Sequence, residues 1–486
     1  MQLVSLEFFL FFALTLSLYN LTPRGVRWVV LLLSSLVFYL FAGIFAFIYI
    51  VLMSLSSFVL ALFMQGRQQE GSGFSLSLAL YVGVLLVLSG WIILKLFSQK
   101  LPVVLPLGIS FYSLRLVSYL IDVKRKRTTA ERNFFKYLLF AVYFPLILQG
   151  PVVRYGEISD RLYSGKRATL EGSAEGLLLF VWGVFKKSVI ANTLALPISK
   201  IVGGGEEYSG AYVVFLICFY TAEIYCDFSG GIDVIRGASL MLGIDLPRNF
   251  DRPFASLSLR EFWNRWHISL GEWFEKYVFF PLSLSRPMQR LSKRARARFG
   301  SKKGRKIPLY IATMTTWLMT GLWHGIRSNF IAWGLINGGL ILLSQELDPL
   351  RARFHARYPG ARKQKILWSA PNKMRVFFII GATRLLDLYG SVGLTFKKLA
   401  TIFTDPTSYS RFFSGLPSVI KASELATVLC ALMLVYLVGK LSLQADAIAK
   451  KPIFCASAIL SLALLSLLFG KYGVGFDAGD FIYSRF

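Results

Sequence analysis

Apolar runs as long as a lipid bilayer is thick recur along most of this chain, and no other feature restricts its fold so strongly. Val29–Met64 is long enough for nearly two crossings, and Phe74–Leu94 and Ile453–Phe469 each reach or approach one. About 20 apolar residues carry a helix across the hydrocarbon core, where every backbone N–H and C=O must be satisfied within the protein. Charged residues make up only 16% of the 486, against about a quarter in soluble domains. The chain therefore reads as an all-α integral membrane protein with roughly 11 to 13 membrane-embedded helices. The first apolar run has no basic segment before it and further runs follow at once, so it reads as a retained helix and not a signal peptide.

Three regions differ in texture. Residues 1–100 are plain scaffold helices, 101–345 carry polar and ionisable residues inside apolar text, and 346–486 return to plainer helices with an aromatic tail. Polar stretches at Gln65–Glu70, 346–372 and 404–422 are expected to be loops. In the middle region, Pro102, Pro106 and Gly108 interrupt one span, and Phe144-Pro145 with Gln149-Gly150-Pro151 interrupt another. Broken backbone at membrane depth survives only when buried in protein or facing a watery cavity.

The formal net charge is +28. The cations gather between apolar runs: Lys124–Arg127, ten basic residues from Arg286 to Lys306, and more from Arg351 to Lys365. Such clusters mark the cytoplasmic side. They also suit anionic membrane lipids or an acidic carrier protein. Nucleic acid is not an expected partner, because no stacking-aromatic module accompanies the charge. Cys218, Cys226, Cys430 and Cys455 lie in apolar text without metal-type spacing and read as small helix residues.

Of three histidines, His355 sits among arginines and reads as solvated, while His267 and His324 sit in apolar, Trp-rich text. Ionisable side chains inside a membrane are expensive, so each points to function. Imidazole exchanges a proton near neutral pH and suits the deprotonation of a hydroxyl attacking a thioester. No Gly-x-Ser-x-Gly elbow and no HExxH stand out, and no metal site is expected. Asp227 and Asp233 are six apart, about 120° around a helix. Gly230-Gly231 weakens that helix. A break there would turn both carboxylates to a polar channel; alternatively they pair with Arg236 or Arg265 for assembly. The clusters flanking 307–346 leave room for two spans, with His324 near the hairpin between them.

Asp227-Phe228-Ser229-Gly230, Phe262-Trp263-Asn264-Arg265-Trp266-His267-Ile268-Ser269-Leu270 and Leu322-Trp323-His324-Gly325, in this order, resemble the membrane-bound O-acyltransferase family. The likeness is greatest to its bacterial branch, which O-acetylates alginate or D-alanylates teichoic acid. Leu107–Tyr112, Tyr119–Val123, Gln149–Tyr155 and Trp182–Lys187 agree with it. The resemblance implies a ring of helices around a central tunnel in the bacterial cytoplasmic membrane. It implies His324 and His267 as catalytic residues. It implies a tunnel lined by Gln149, Arg154, Asp227, Ser229, Asp233, Asn264, Arg265, Trp266 and Trp323. No bound cofactor is implied; the donor is an acyl thioester, acetyl-CoA or an acyl carrier protein. The acceptor is an extracytoplasmic polymer, reached directly or through a secreted SGNH-type acyltransferase.

The closing Phe481–Phe486 resembles the aromatic tails of the alginate-type branch. Tyr483 is then either an interfacial anchor or an acyl relay deprotonated by His324. D-alanyl transfer from a carrier protein is the alternative within the class. A transporter or flippase is the alternative outside it, although no inverted repeat is visible.

Overall fold

The structure is a computed structural model describing residues 3–69, 73–97, 108–357, 365–441 and 443–472. The described residues are helical apart from their connections and one isolated bridge, Phe250 with Trp266. Among the described residues, seven helices are long and apolar enough to cross a membrane. Leu170–Gly203 and Ala211–Met241 are each 72% buried in protein, whereas Ala422–Lys440 is 11% buried and Pro452–Phe469 17%. The first two carry the polar residues of the middle region, and the last two turn apolar surface outward as lipid requires. Fewer helices qualify than the apolar text suggests, because much of that text folds into shorter pieces such as Leu6–Leu21, Ile109–Lys124 and Phe134–Val142.

The chain divides into two interleaved units. One comprises Met1–Thr193, Ile224–Pro247 and Ala426–Phe486, the other Leu194–Glu223 and Arg248–Leu425.

In the first unit the break at Phe144-Pro145 has a visible cause. The helix Phe134–Val142 stops and a single turn, Pro145–Leu148, follows. Its last carbonyls accept from the buried Arg115 guanidinium, Nη1 to Phe140 O at 3.0 Å and Nη2 to Ala141 O at 3.0 Å. Those groups have no partner within a helix that ends there, and a fixed cation fills the need. The helix Ala211–Met241, by contrast, runs unbroken through Gly230-Gly231. The expected break is absent because the glycines serve close packing. A Cβ on Gly183 would meet the Gly230 carbonyl oxygen, and one on Gly237 would meet that of Gly176. Small residues at such spacing let helix backbones touch.

Three expected loops are largely helical among the described residues. Gln65–Gln69 continues the helix Ile44–Gln69, since Gln68 Nε2 donates to Val123 O at 2.8 Å and Gln65 Oε1 accepts from Ala130 N. Those amides cap the neighbouring chain, so their polarity is not a loop signal. In the second unit, Ser408–Val419 is a helix anchored by Asp405, which accepts from Ser209 Oγ and Arg411 Nη2 at 2.6 Å each. The basic text after 346 extends the helix Ser328–Arg357, with His355 on its last turns, and helix resumes at Lys365–Tyr389. Likewise Arg286–Gly304 is helical with a bend at Gly300, whose φ of 77° suits glycine. Charge by itself does not stop a helix; Lys and Arg are good helix formers.

The hairpin of the second unit is Lys306–His324 followed by Ser328–Arg357. Its arms meet through Gly321 and Gly334, where added Cβ atoms would strike the carbonyl oxygens of Phe330 and Trp317. This contact fixes the hairpin tip, where His324 is the last helical residue.

Candidate active site

His267 lies in the junction between two seven-residue helices, Leu259–Arg265 and Ile268–Phe274, outside the seven apolar spans. Its backbone is left-handed, φ 49° and ψ 52°. That conformation is uncommon for a residue with a Cβ and persists only when its surroundings over-determine it. Here they do: Asp251 N donates to Arg265 O at 3.0 Å, and Ile268 N to Asn249 O at 3.0 Å. The segment Asn249–Asp251 thus clamps the turn from both sides.

Asn249, 1% exposed, also sets the imidazole. Its Oδ1 accepts from Ser269 N at 3.0 Å and Ser269 Oγ at 2.9 Å. Two donors on Oδ1 identify the other atom as the NH2 group. That group stands 3.2 Å from His267 Nδ1, nearer than Oδ1 at 3.4 Å, and is placed to donate to it. An Nδ1 that accepts leaves the ring proton on Nε2. Burial, and after it the Arg384 charge, hold the pKa of this imidazole well below its ordinary value. His267 is thus a neutral Nε2–H donor.

His324 is 5% exposed at the hairpin tip. Aromatic rings join it to His267. The His267 ring lies 6.0 Å from Trp323, and Trp323 lies 4.9 Å from His324, each edge to face. On its other side the His324 ring meets Trp333 at 4.9 Å and 81°. Gly325 follows because a side chain there would enter the Phe330 ring. Of the other expected tunnel residues in this unit, Trp266 is buried at 4% exposure, bridged to Phe250. Arg265 pairs with Glu261 at 2.8 Å and is half-buried, while Asn264 is exposed.

The remaining expected residues belong to the first unit. Asp233 pairs with Lys186 at 2.7 Å, and Lys186 Nζ also donates to Ser229 Oγ at 2.9 Å. Asp227 pairs with Lys187. Adjacent lysines thus pair with both carboxylates, and Arg236, weighed for assembly, also pairs with Asp233 at 4.0 Å. Lys186–Ala191 is a π-helical turn, a feature frequent at functional sites. The same turn holds the base of the C-terminal tail: Lys471 N donates to Ser188 O at 2.9 Å, and Asn192 Nδ2 to Lys471 O at 2.7 Å. Gln149 is fully buried, and neither end of its amide has a hydrogen-bond partner among the described residues. Arg154 starts the helix Tyr155–Tyr163 and pairs with Glu157. Tyr483 lies outside the described residues.

Asn249, Trp333 and Arg384 escaped the sequence reading. Asn249 is 18 residues before the histidine that it orients, and Arg384 is 60 residues after the hairpin tip. Local text gives neither a marker beyond a polar residue next to an apolar run.

The family described as MBOAT, membrane-bound O-acyltransferase family, matches residues 34–296. The chain is 36% identical over 241 residues to the probable alginate O-acetylase AlgI of Pseudomonas syringae pv. tomato, covering 49% of this chain and 42% of that protein. It is 33% identical over 369 residues to the probable alginate O-acetylase AlgI of Pseudomonas fluorescens, covering 71% and 68%. It is 27% identical over 346 residues to the peptidoglycan O-acetyltransferase of Helicobacter pylori, covering 65% and 62%.

Proposed function

The chain belongs to the membrane-bound O-acyltransferase family, and from that premise we propose that it carries an acyl group, acetyl before others, from a cytoplasmic thioester to a hydroxyl of an extracytoplasmic polysaccharide or cell-wall polymer. It is a multi-pass membrane protein and an O-acyltransferase. The polymer acceptor is supported by the names of its relatives, alginate O-acetylase and peptidoglycan O-acetyltransferase. Acetyl-CoA or an acyl carrier protein is the proposed donor, with no resident cofactor. The ten basic residues from Arg286 to Lys306 suit the phosphates of either.

The observation that carries the mechanism is the different setting of the two histidines. His324 is the proposed base: it takes the proton of the acceptor hydroxyl as the oxygen attacks the thioester carbonyl carbon. His267, a neutral donor with its proton on Nε2, suits the carbonyl oxygen as that oxygen gains negative charge. When the C–S bond breaks, the thiolate leaves and recovers the proton from His324. An imidazole kept neutral donates without competing as a base.

The proposed first acceptor is Tyr483, whose phenol oxygen takes the acyl group and passes it to a secreted SGNH-type acyltransferase. This step is supported by the aromatic tail and by anchoring of its base at Lys471. Mass spectrometry of exopolysaccharide and cell-wall fractions, with and without the protein, tests the reading. O-acetyl esters that vanish without it support acetyl transfer, and loss of D-alanyl esters instead assigns the alternative donor. Tyr483→Phe should abolish the esters while the protein stays in the membrane; wild-type ester content in that variant refutes the relay.

A further inference from the structure

The second unit buries a cation that the mechanism above does not use. Arg384 is 4% exposed, on the helix Lys365–Tyr389. Three indoles surround its guanidinium: Trp333 at 4.9 Å, Trp266 at 5.4 Å and Trp263 at 5.9 Å from ring centroid to the guanidinium carbon. Nη1 donates to Asp387 Oδ2 at 3.0 Å, with both side chains buried. A buried ion pair is a weak source of stability, and apolar residues of similar volume commonly replace one without loss. Stability alone is therefore a poor reason for a guanidinium here.

Its neighbours suggest a better one. Trp333 packs edge to face on His324. Trp266 is the residue before His267 and is held by the bridge to Phe250. One planar cation thus contacts the aromatic neighbour of each histidine. Asn329 Nδ2 donates to Leu386 O at 3.2 Å, tying the Arg384 helix to the start of the helix that carries Trp333. Only a flat, delocalised cation stacks on several rings while donating to a carboxylate; an ammonium on a flexible stem cannot do both.

We propose that Arg384 is the positioning residue of the histidine pair, its guanidinium gripped by Trp263, Trp266 and Trp333 so that His267 and His324 are held at the spacing that acyl transfer requires. This rests on the reading of the two histidines given above. Arg384 touches no reacting atom. It acts through the indoles and through its charge beside His267.

The test uses the full-length protein in membrane vesicles with acetyl-CoA as the donor probe. Thiol release is followed across pH, and polymer ester content in cells is the second measure. Arg384→Lys keeps the charge and loses the stack; its maximal rate should fall about 10- to 100-fold, with the acid limb of the profile unmoved. Arg384→Gln loses both. Its rate should fall similarly, and its acid limb should move to higher pH. The sign follows from the charge: the cation disfavours protonation of His267, so removing it lets the imidazole protonate at higher pH. Of the other titratable groups of this cluster, His324 is present in both variants, whereas Asp387 keeps a cation beside it in Arg384→Lys and loses it in Arg384→Gln, which moves its own titration upward as well.

Full activity in either variant overturns the proposal. So does a loss in both that tracks protein amount and thermal stability with no movement of the limb in Arg384→Gln. His324→Ala in the same vesicles keeps the two ideas apart. If it is inactive while Arg384→Gln is unaffected, the positioning role fails and the base assignment stands; if it is active, the base assignment fails. Absence of acetyl-CoA turnover by the wild type sinks that donor, and ester content in cells then decides between the Arg384 outcomes.

Discussion

Each unit buries a cluster of ionisable residues, and the two are built on opposite rules. In the first, opposite charges meet: Lys186 with Asp233, Lys187 with Asp227, and Ser229 taking a further ammonium proton. In the second, His267 contacts an amide and an indole ring, His324 contacts indole rings, and the cation beside His267 is Arg384, itself paired with Asp387. Paired charges cancel and hold helices in register. The His267 imidazole, buried and with a cation nearby, is held neutral. Under the function proposed above, the first arrangement suits assembly and the second reaction, although the sequence shows polar residues in apolar text in both places.

The comparison can be broken most decisively at His324. His324→Ala should lower polymer ester content about 10²- to 10⁴-fold, the worth of a positioned general base, with unchanged protein in the membrane. Ester content near wild type would place the chemistry elsewhere. The first cluster should respond in stability. Asp227→Ala removes the carboxylate that pairs with the buried Lys187 ammonium and should destabilise by about 3–5 kcal/mol. Lys187→Met with Asp227→Leu should recover most of that, as read by thermal unfolding of the extracted protein. If the double variant is stable but inactive, the lysine–aspartate pairs belong to the chemistry and the contrast collapses. The smallest effect is expected at Asn249. Asn249→Ala removes one hydrogen bond to His267 and one fixed tautomer, and should slow ester formation about tenfold with little change in membrane level. Loss of folded protein in its place would make Asn249 a clamp and no more.

Much of the second cluster was legible in the text. Trp-flanked histidines in a poorly charged chain are unusual enough to mark a site, and the basic clusters around 307–346 placed His324 at a hairpin tip, where it lies. Other features were misread for one physical reason: polarity was taken as a sign of loop. Gln65 and Gln68 are polar because they satisfy a neighbouring chain, and Asp405 because it anchors a helix start. Gly230 is a packing surface, and the helix runs through Gly230-Gly231 without a hinge.

Apolar text of bilayer length determined by itself that the chain is helical and membrane-embedded, since hydrocarbon offers no partner for open backbone. Residue type in that setting singled out His267 and His324. Tertiary structure alone decided what surrounds them. That Asn249 faces Nδ1, that Arg384 stacks among three indoles, and that consecutive lysines neutralise Asp227 and Asp233 depend on contacts between positions 18 to 121 residues apart. Local sequence carries propensity and periodicity, but a side chain's partner is set by which helices pack together.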